Sequence, residues 1–179
     1  RVRSSAASDV YKRQAKNIVG DNMSPIYTYA VETAIQITLT ELNENLREIY
    51  IEAYTMPETA EYIYVHTTAE LKQIFGSNFP GYTESDFYEM EIGTSGIMRN
   101  YMARKCDIHF PLDHKLRRFL TAAMRVYKVP EEEQAKVIAF IGSLDIRAIA
   151  TEVMYKLFAM LEMTFDFKLS KDDEEGETR

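Results

Sequence analysis

Leu112, Leu116, Phe119, Leu120, Ala123, Met124 and Tyr127 follow one another at steps of four, three, one, three, one and three. Only a repeat of 3.6 residues puts such a set on one face, so the segment is an amphipathic helix that needs a partner layer. The same period returns elsewhere. Ile26, Ala30, Ala34, Ile37 and Leu42 carry it, then Phe87, Met90, Thr94, Ile97, Met98 and Tyr101. It closes on Val137, Ile138, Ile141 and Leu144, followed by Ile146, Ile149, Val153, Leu157, Phe158 and Leu161. A chain with this pattern in nearly every segment packs helix on helix. The expected fold is all-α, a bundle of six or seven helices.

The breaks between segments carry their own chemistry. Ser24-Pro25 reads as a cap followed by proline at the first helical position. Asn43 and Asn45 mark a break and a new cap, and a short helix is expected from Leu46 to Tyr54. A longer one is expected from Pro57 to Phe75, closed by Gly76 at the residue after the cap. The β-branched and aromatic residues of Glu61 to Thr68 also suit a strand, but their flanks are helical, so helix is preferred. Thr83 to Asp86 is a capping box with Asp in place of Glu. Glu131, Glu132 and Glu133 crowd the first turn after Pro130, where the helix dipole favours acids. Ser143 to Asp145 reads as a kink or break. Gly93 and Gly96 lie inside a helical pattern, where each costs up to about 1 kcal/mol relative to alanine. Close packing or room for a ligand would explain them.

The ends read differently. Arg1 to Gln14 (RVRSSAASDVYKRQ) is small, polar and basic, and resembles translated adapter read-through. Residues 1–17 are expected to be a disordered, non-native leader; a basic arm for a DNA groove is the functional alternative. Residues 18–169 are expected to form one ligand-binding and dimerisation domain, and 170–179 a disordered acidic tail. With 179 residues, 46% of them hydrophobic, the chain builds a core without metal or disulfide. Its one cysteine fits a reducing, cytoplasmic setting. A net charge of −7 argues against this chain gripping nucleic acid by itself. No apolar run reaches the roughly 18–20 residues of a membrane span, so no membrane partner is expected.

Catalytic signatures are absent. Cys106, Asp107 and His109 are close in sequence, but zinc needs about four ligands with recognisable pair spacing. Neither Glu-x-x-His nor a phosphate-loop or nucleophile-elbow motif occurs in the chain. The expectation is no enzyme, no metal and no cofactor. What stands out is soft pocket material: 12 Tyr and 9 Met with no Trp. Such side chains suit an adaptable apolar pocket with polar handles. Tyr62, His66, Tyr88, Glu91 and Tyr101, on the two central helices, are the candidate ligand-lining residues.

Three longer segments carry a family likeness: Asn43 to Phe75, Gly81 to Arg104, and Pro130 to Leu161. They resemble the effector domain of TetR/AcrR-like transcriptional regulators, over roughly Ile18 to Leu169. The resemblance implies a TetR-like C-terminal domain that binds an unknown small-molecule effector and pairs with itself as a homodimer. It also implies that DNA is reached only through an N-terminal helix-turn-helix, which has no counterpart in these residues. Leu116, Leu120, Ile149, Val153, Leu157 and Phe158 are the candidate dimer-interface residues. The competing reading is a helical protein–protein adaptor with no small ligand.

Overall fold

The computed structural model describes the backbone of residues 2–160 and the side chains of residues 9–160. Eight α-helices follow one another among them: α1 Val2–Val19, α2 Pro25–Leu42, α3 Glu44–Ala53, α4 Pro57–Phe75, α5 Glu84–Ala103, α6 Leu112–Val126 and α7 Glu131–Ser143, with α8 covering residues 146–160. No strand occurs among the described residues. The all-α bundle is as expected, and the Glu61 to Thr68 stretch lies wholly inside α4.

The extra helix is α1. The stretch expected to be a disordered leader is helical, and its second half packs: Ala15 and Val19 are buried, with Val10, Tyr11 and Ile18 partly so. These residues lie on one helical face, which supplies the driving force that composition alone concealed. Gly20 ends the helix in the left-handed region, at φ +73, with its amide bonded to the Lys16 carbonyl at 2.8 Å. The expected tail, residues 170–179, lies outside the described residues.

The central helix is α2. Nine of its side chains are buried, from Ile26 to Thr40, and they point around the whole helix rather than along one stripe. A helix with that pattern is enclosed on every side. It packs against α1, α3, α4, α5, α6 and α7. Its buried hydroxyls bond back to its own carbonyls, Thr38 to Ala34 and Thr40 to Ile37, each at 2.7 Å. That satisfies them without outside partners.

Caps set the remaining boundaries. Asn43 closes α2 and starts α3, its side chain accepting from the Leu46 amide at 3.0 Å. The helix therefore begins two residues before the expected Leu46. The Thr83–Asp86 box forms in both directions at the start of α5. Ser24 precedes Pro25 as expected, but its side chain caps nothing. Gly76 keeps a right-handed φ of −58 and leads into a 3-10 turn over Gly76–Asn78; the left-handed glycine of this connection is Gly81, at φ +88. Around Gly93 and Gly96 the space where a Cβ would sit is open, so tight packing within the chain does not account for either.

Candidate functional site around Glu91

Three elements meet at Glu91: α5 itself, α4 and the end of α6. The side chain is buried, and every partner it has is a hydroxyl. Thr94, one turn on, donates to Oε2 at 2.7 Å. Thr67 of α4 reaches Oε1 at 3.1 Å while also bonding the Ile63 carbonyl at 2.7 Å. The Tyr127 hydroxyl, just past α6, lies 2.9 Å from Thr94 Oγ1. Burial pushes the Glu91 carboxyl up to about 7, against the pull of the nearby Thr94, Thr67 and Tyr127 hydroxyls. The donor count gives the same direction. Thr67 has one proton for two acceptors, and a neutral Glu91 removes the conflict by donating its own proton to Thr67.

Tyr127 is fixed by aromatic packing. Its ring stacks on Phe75 at 4.2 Å with the planes 3° apart, and Tyr29 of α2 meets both rings edge-on. Its carbonyl accepts from the Asn78 side chain at 2.9 Å. Tyr29, Tyr50 and Tyr54 are each surrounded by protein, and burial raises all three hydroxyls well above the ordinary tyrosine range. Nearby charge, including Glu91 beside Tyr29 and Tyr54, adds to the rise.

As whole residues, all three are half-buried. The Tyr29 and Tyr54 hydroxyls have no hydrogen-bond partner among the described residues. Nor are they sealed, since the one fully buried side-chain nitrogen or oxygen without a partner among those residues is Arg47 Nε. Glu32 of α2 belongs to this region: burial, with the charge of Glu70, pushes its carboxyl up to about 7, while Lys12 pulls the other way. Lys12 itself is held by Glu70 at 2.6 Å.

Of the expected ligand-lining residues, Glu91 lies at the heart of this region. Tyr88 is half-buried and donates to Glu61 at 2.7 Å. Tyr62 and His66 stack on each other at 3.7 Å along α4, and His66 is exposed. Tyr101 packs on Phe110 and Phe119 at the far end of α5. The five therefore form no single site. The hydroxyls beside Glu91 are instead those of Thr67 and Thr94, with Tyr127 next to Thr94.

The expected interface residues divide as well. Leu116, Leu120, Val153 and Leu157 are buried within the chain, while Ile149 and Phe158 are half-buried. Exposed apolar side chains on these late helices are Val126, Tyr155 and Met160. A groove of about 360 Å³ also opens here, with Leu112, Leu116, Leu120, Ile141 and Ile146 among its walls and Arg117 and Arg147 at its polar margin.

A second polar cluster lies at the other end of α2. Glu41 pairs with the fully buried Lys115 of α6 and sits 3.4 Å from Arg47 of α3. Lys115 also donates to the Arg104 carbonyl, and Glu41 accepts from the Cys106 amide at 3.1 Å. Burial works to raise the Glu41 carboxyl, but the Lys115 and Cys106 hydrogen bonds and the charges of Lys115 and Arg47 hold it below the ordinary range. Asp107 is used locally, accepting from Arg104 at 2.6 Å and from the His109 and Phe110 amides at 2.9 Å. No three of the His, Cys, Asp and Glu side chains converge as a metal site among the described residues.

No described helix is long and apolar enough to cross a membrane. Comparison with protein-family models, with curated proteins and with solved structures finds no match to this chain.

Proposed function

We propose that this chain is the ligand-sensing and dimerisation domain of a TetR-like transcriptional regulator. Its DNA-reading helix-turn-helix would lie outside these 179 residues, and its setting would be the cytoplasm. The observation that carries the reading is the polar cluster around the buried Glu91. The Tyr29 and Tyr54 hydroxyls, without a hydrogen-bond partner among the described residues, are groups that an incoming small molecule can satisfy. These residues come from α2, α4 and α5 and from the ends of α3 and α6, so a ligand that engaged them would touch most of the bundle. Binding that favours one arrangement of these helices shifts the population of the whole domain, which is what a sensor requires. The function is recognition rather than catalysis: Glu91 is surrounded by hydroxyls, with no nucleophile and base set against each other.

Dimerisation rests on the late helices. Tyr155 is 66% exposed on α8, with Phe158 half-buried on the same helix. An isologous contact through this region joins two copies without disturbing the buried stripe. Light scattering on the full chain tests the reading and is expected to give twice the chain mass. Tyr155→Glu is expected to give a folded monomer. A wild-type monomer across concentration would remove the dimerisation claim.

The α6–α8 groove favours a second reading, a helical adaptor that seats an apolar segment of another protein. The two readings separate on small-molecule binding, since the adaptor has no use for the polar cluster around Glu91.

A further inference from the structure

We propose that the groove between α6, α7 and the start of α8 seats this chain's own segment 161–179, with Phe165, Phe167 and Leu169 on its apolar walls and the acids that follow beside Arg117 and Arg147. The segment lies outside the described residues. Its docking does not depend on the ligand-sensing reading.

The groove sets the chemistry of its occupant. Its volume is about 360 Å³, and Ile138 and Leu144 among its walls are only half-buried, so apolar surface is left to cover. At the margin, Arg117 and Arg147 are exposed and form no ion pair among the described residues. Two acids share that margin. Asp145 is already used, accepting from the Ala148 amide at 3.1 Å where it caps α8, and Asp113 stands in the first turn of α6. A fitting occupant is apolar on one side, chiefly acidic beyond it, and carries a base or two for Asp113.

Segment 161–179 has that character. Leu161, Met163, Phe165, Phe167 and Leu169 alternate with Glu162, Thr164, Asp166 and Lys168. A period of two puts the apolar set on one side of an extended chain. Asp172, Asp173, Glu174 and Glu175 follow, and Lys168 and Lys171 can answer Asp113. The segment also reaches. From Ile146 to Met160, α8 spans about 21 Å at roughly 1.5 Å per residue. An extended return at about 3.3 Å per residue takes about six or seven residues, which brings Phe167 abreast of Ile146. Tethered at Met160, the segment meets the groove at an effective concentration on the order of millimolar, ahead of any free partner of like affinity.

The chain has no tryptophan, so Phe167→Trp places a single reporter in the full chain. Its emission is expected to lie to the blue of free tryptophan, with acrylamide quenching reduced severalfold and neither changing with protein concentration. Arg117→Glu together with Arg147→Glu, both at exposed positions, is expected to move the emission to the red and restore quenching. Phe165→Ser together with Leu169→Ser is expected to do the same, and it leaves every described helix untouched. Lys136→Glu, an exposed charge reversal elsewhere on α7, should change neither signal. Emission like that of free tryptophan in the Phe167→Trp chain would overturn the proposal, as would shielding that survives either pair of substitutions. Shielding that appears only as protein concentration rises would seat a second copy's segment in the groove and overturn docking within one chain.

Discussion

The two ends of α2 bury acidic groups in opposite ways. At its C-terminal end, Glu41 is locked between Lys115 and Arg47, with amide and carbonyl groups completing the network. Towards its N-terminal half, Glu32 lies near Glu70 and Lys12, while Glu91 of α5 sits among hydroxyls, and burial raises both carboxyls to about 7. A buried charge is tolerated when it is paired, and a buried carboxyl without a cation moves toward its neutral form. The first arrangement holds the fold together. The second leaves Glu91 with hydroxyl partners and no countercharge among the described residues.

The sharpest way to break the comparison is to unpair Glu41. Lys115→Met is expected to destabilise the chain by about 3–5 kcal/mol, because a buried charge loses its partner. The urea midpoint measures it, and a loss below about 1 kcal/mol would mean that the network is not structural. Removing the charge at the other end should act in the opposite direction. Glu91→Gln is expected to be at least as stable as the wild type at pH 8, since the buried site no longer has to hold a carboxylate.

Next comes pH. Glu91 has a folded value near 7 against 4.5 for an ordinary glutamate. Its contribution is therefore fullest below pH 4.5, declines as pH rises from 4.5 to 7, and is flat above. The Glu91 share is about 3 kcal/mol at 1.36 kcal/mol per pH unit. Glu41 runs the other way: its pairing is fully present above pH 4.5 and is lost as pH falls through its lowered folded value. Denaturation curves from pH 4 to 9 should show stability falling between 4.5 and 7, and Glu91→Gln should flatten much of that fall. An unchanged slope in the variant would assign the effect to other groups.

The smallest effect concerns the outer face of α5. Gly93 lies two residues beyond Glu91, exposed and with open space around it. Gly93→Ala is expected to stabilise the chain by about 0.5–1 kcal/mol, as alanine does in an exposed helix interior. A loss of stability, or of the dimer, would show that this face is covered by a second copy.

Much of this architecture is legible in the sequence, for reasons that differ by element. The α6 stripe is read directly because Arg117, Arg118 and Arg125 contrast with the apolar face. The Thr83 box is read because capping is local chemistry. Helix α1 is hidden by a composition that looks like leader: its stripe runs from Val10 through Ala15 to Val19, and a boundary at residue 17 cuts it. The cluster around Glu91 is harder to read. Glu91 looks like one more acid beside Glu89, and only the meeting of α4, α5 and the end of α6 buries it. Tyr29 and Tyr54 come from distant segments, so no spacing within one helix brings them together. Lys115 breaks the charge pattern of an otherwise apolar face, a sign of burial that points to a partner without saying which acid supplies it.

The enclosure of α2 also governs how this molecule opens and closes. A helix with no free face cannot fray alone, so its amides exchange with solvent only when the whole bundle comes apart. Helix α1 leans chiefly on α2 and exposes its other side, so it can lift while the rest stays folded. In hydrogen-exchange terms, the amides of Ile35 to Leu39 should be the slowest in the chain, and those of α1 should be released first. The central helix then acts as the clock of global unfolding, with α1 as a door that opens many times for each stroke.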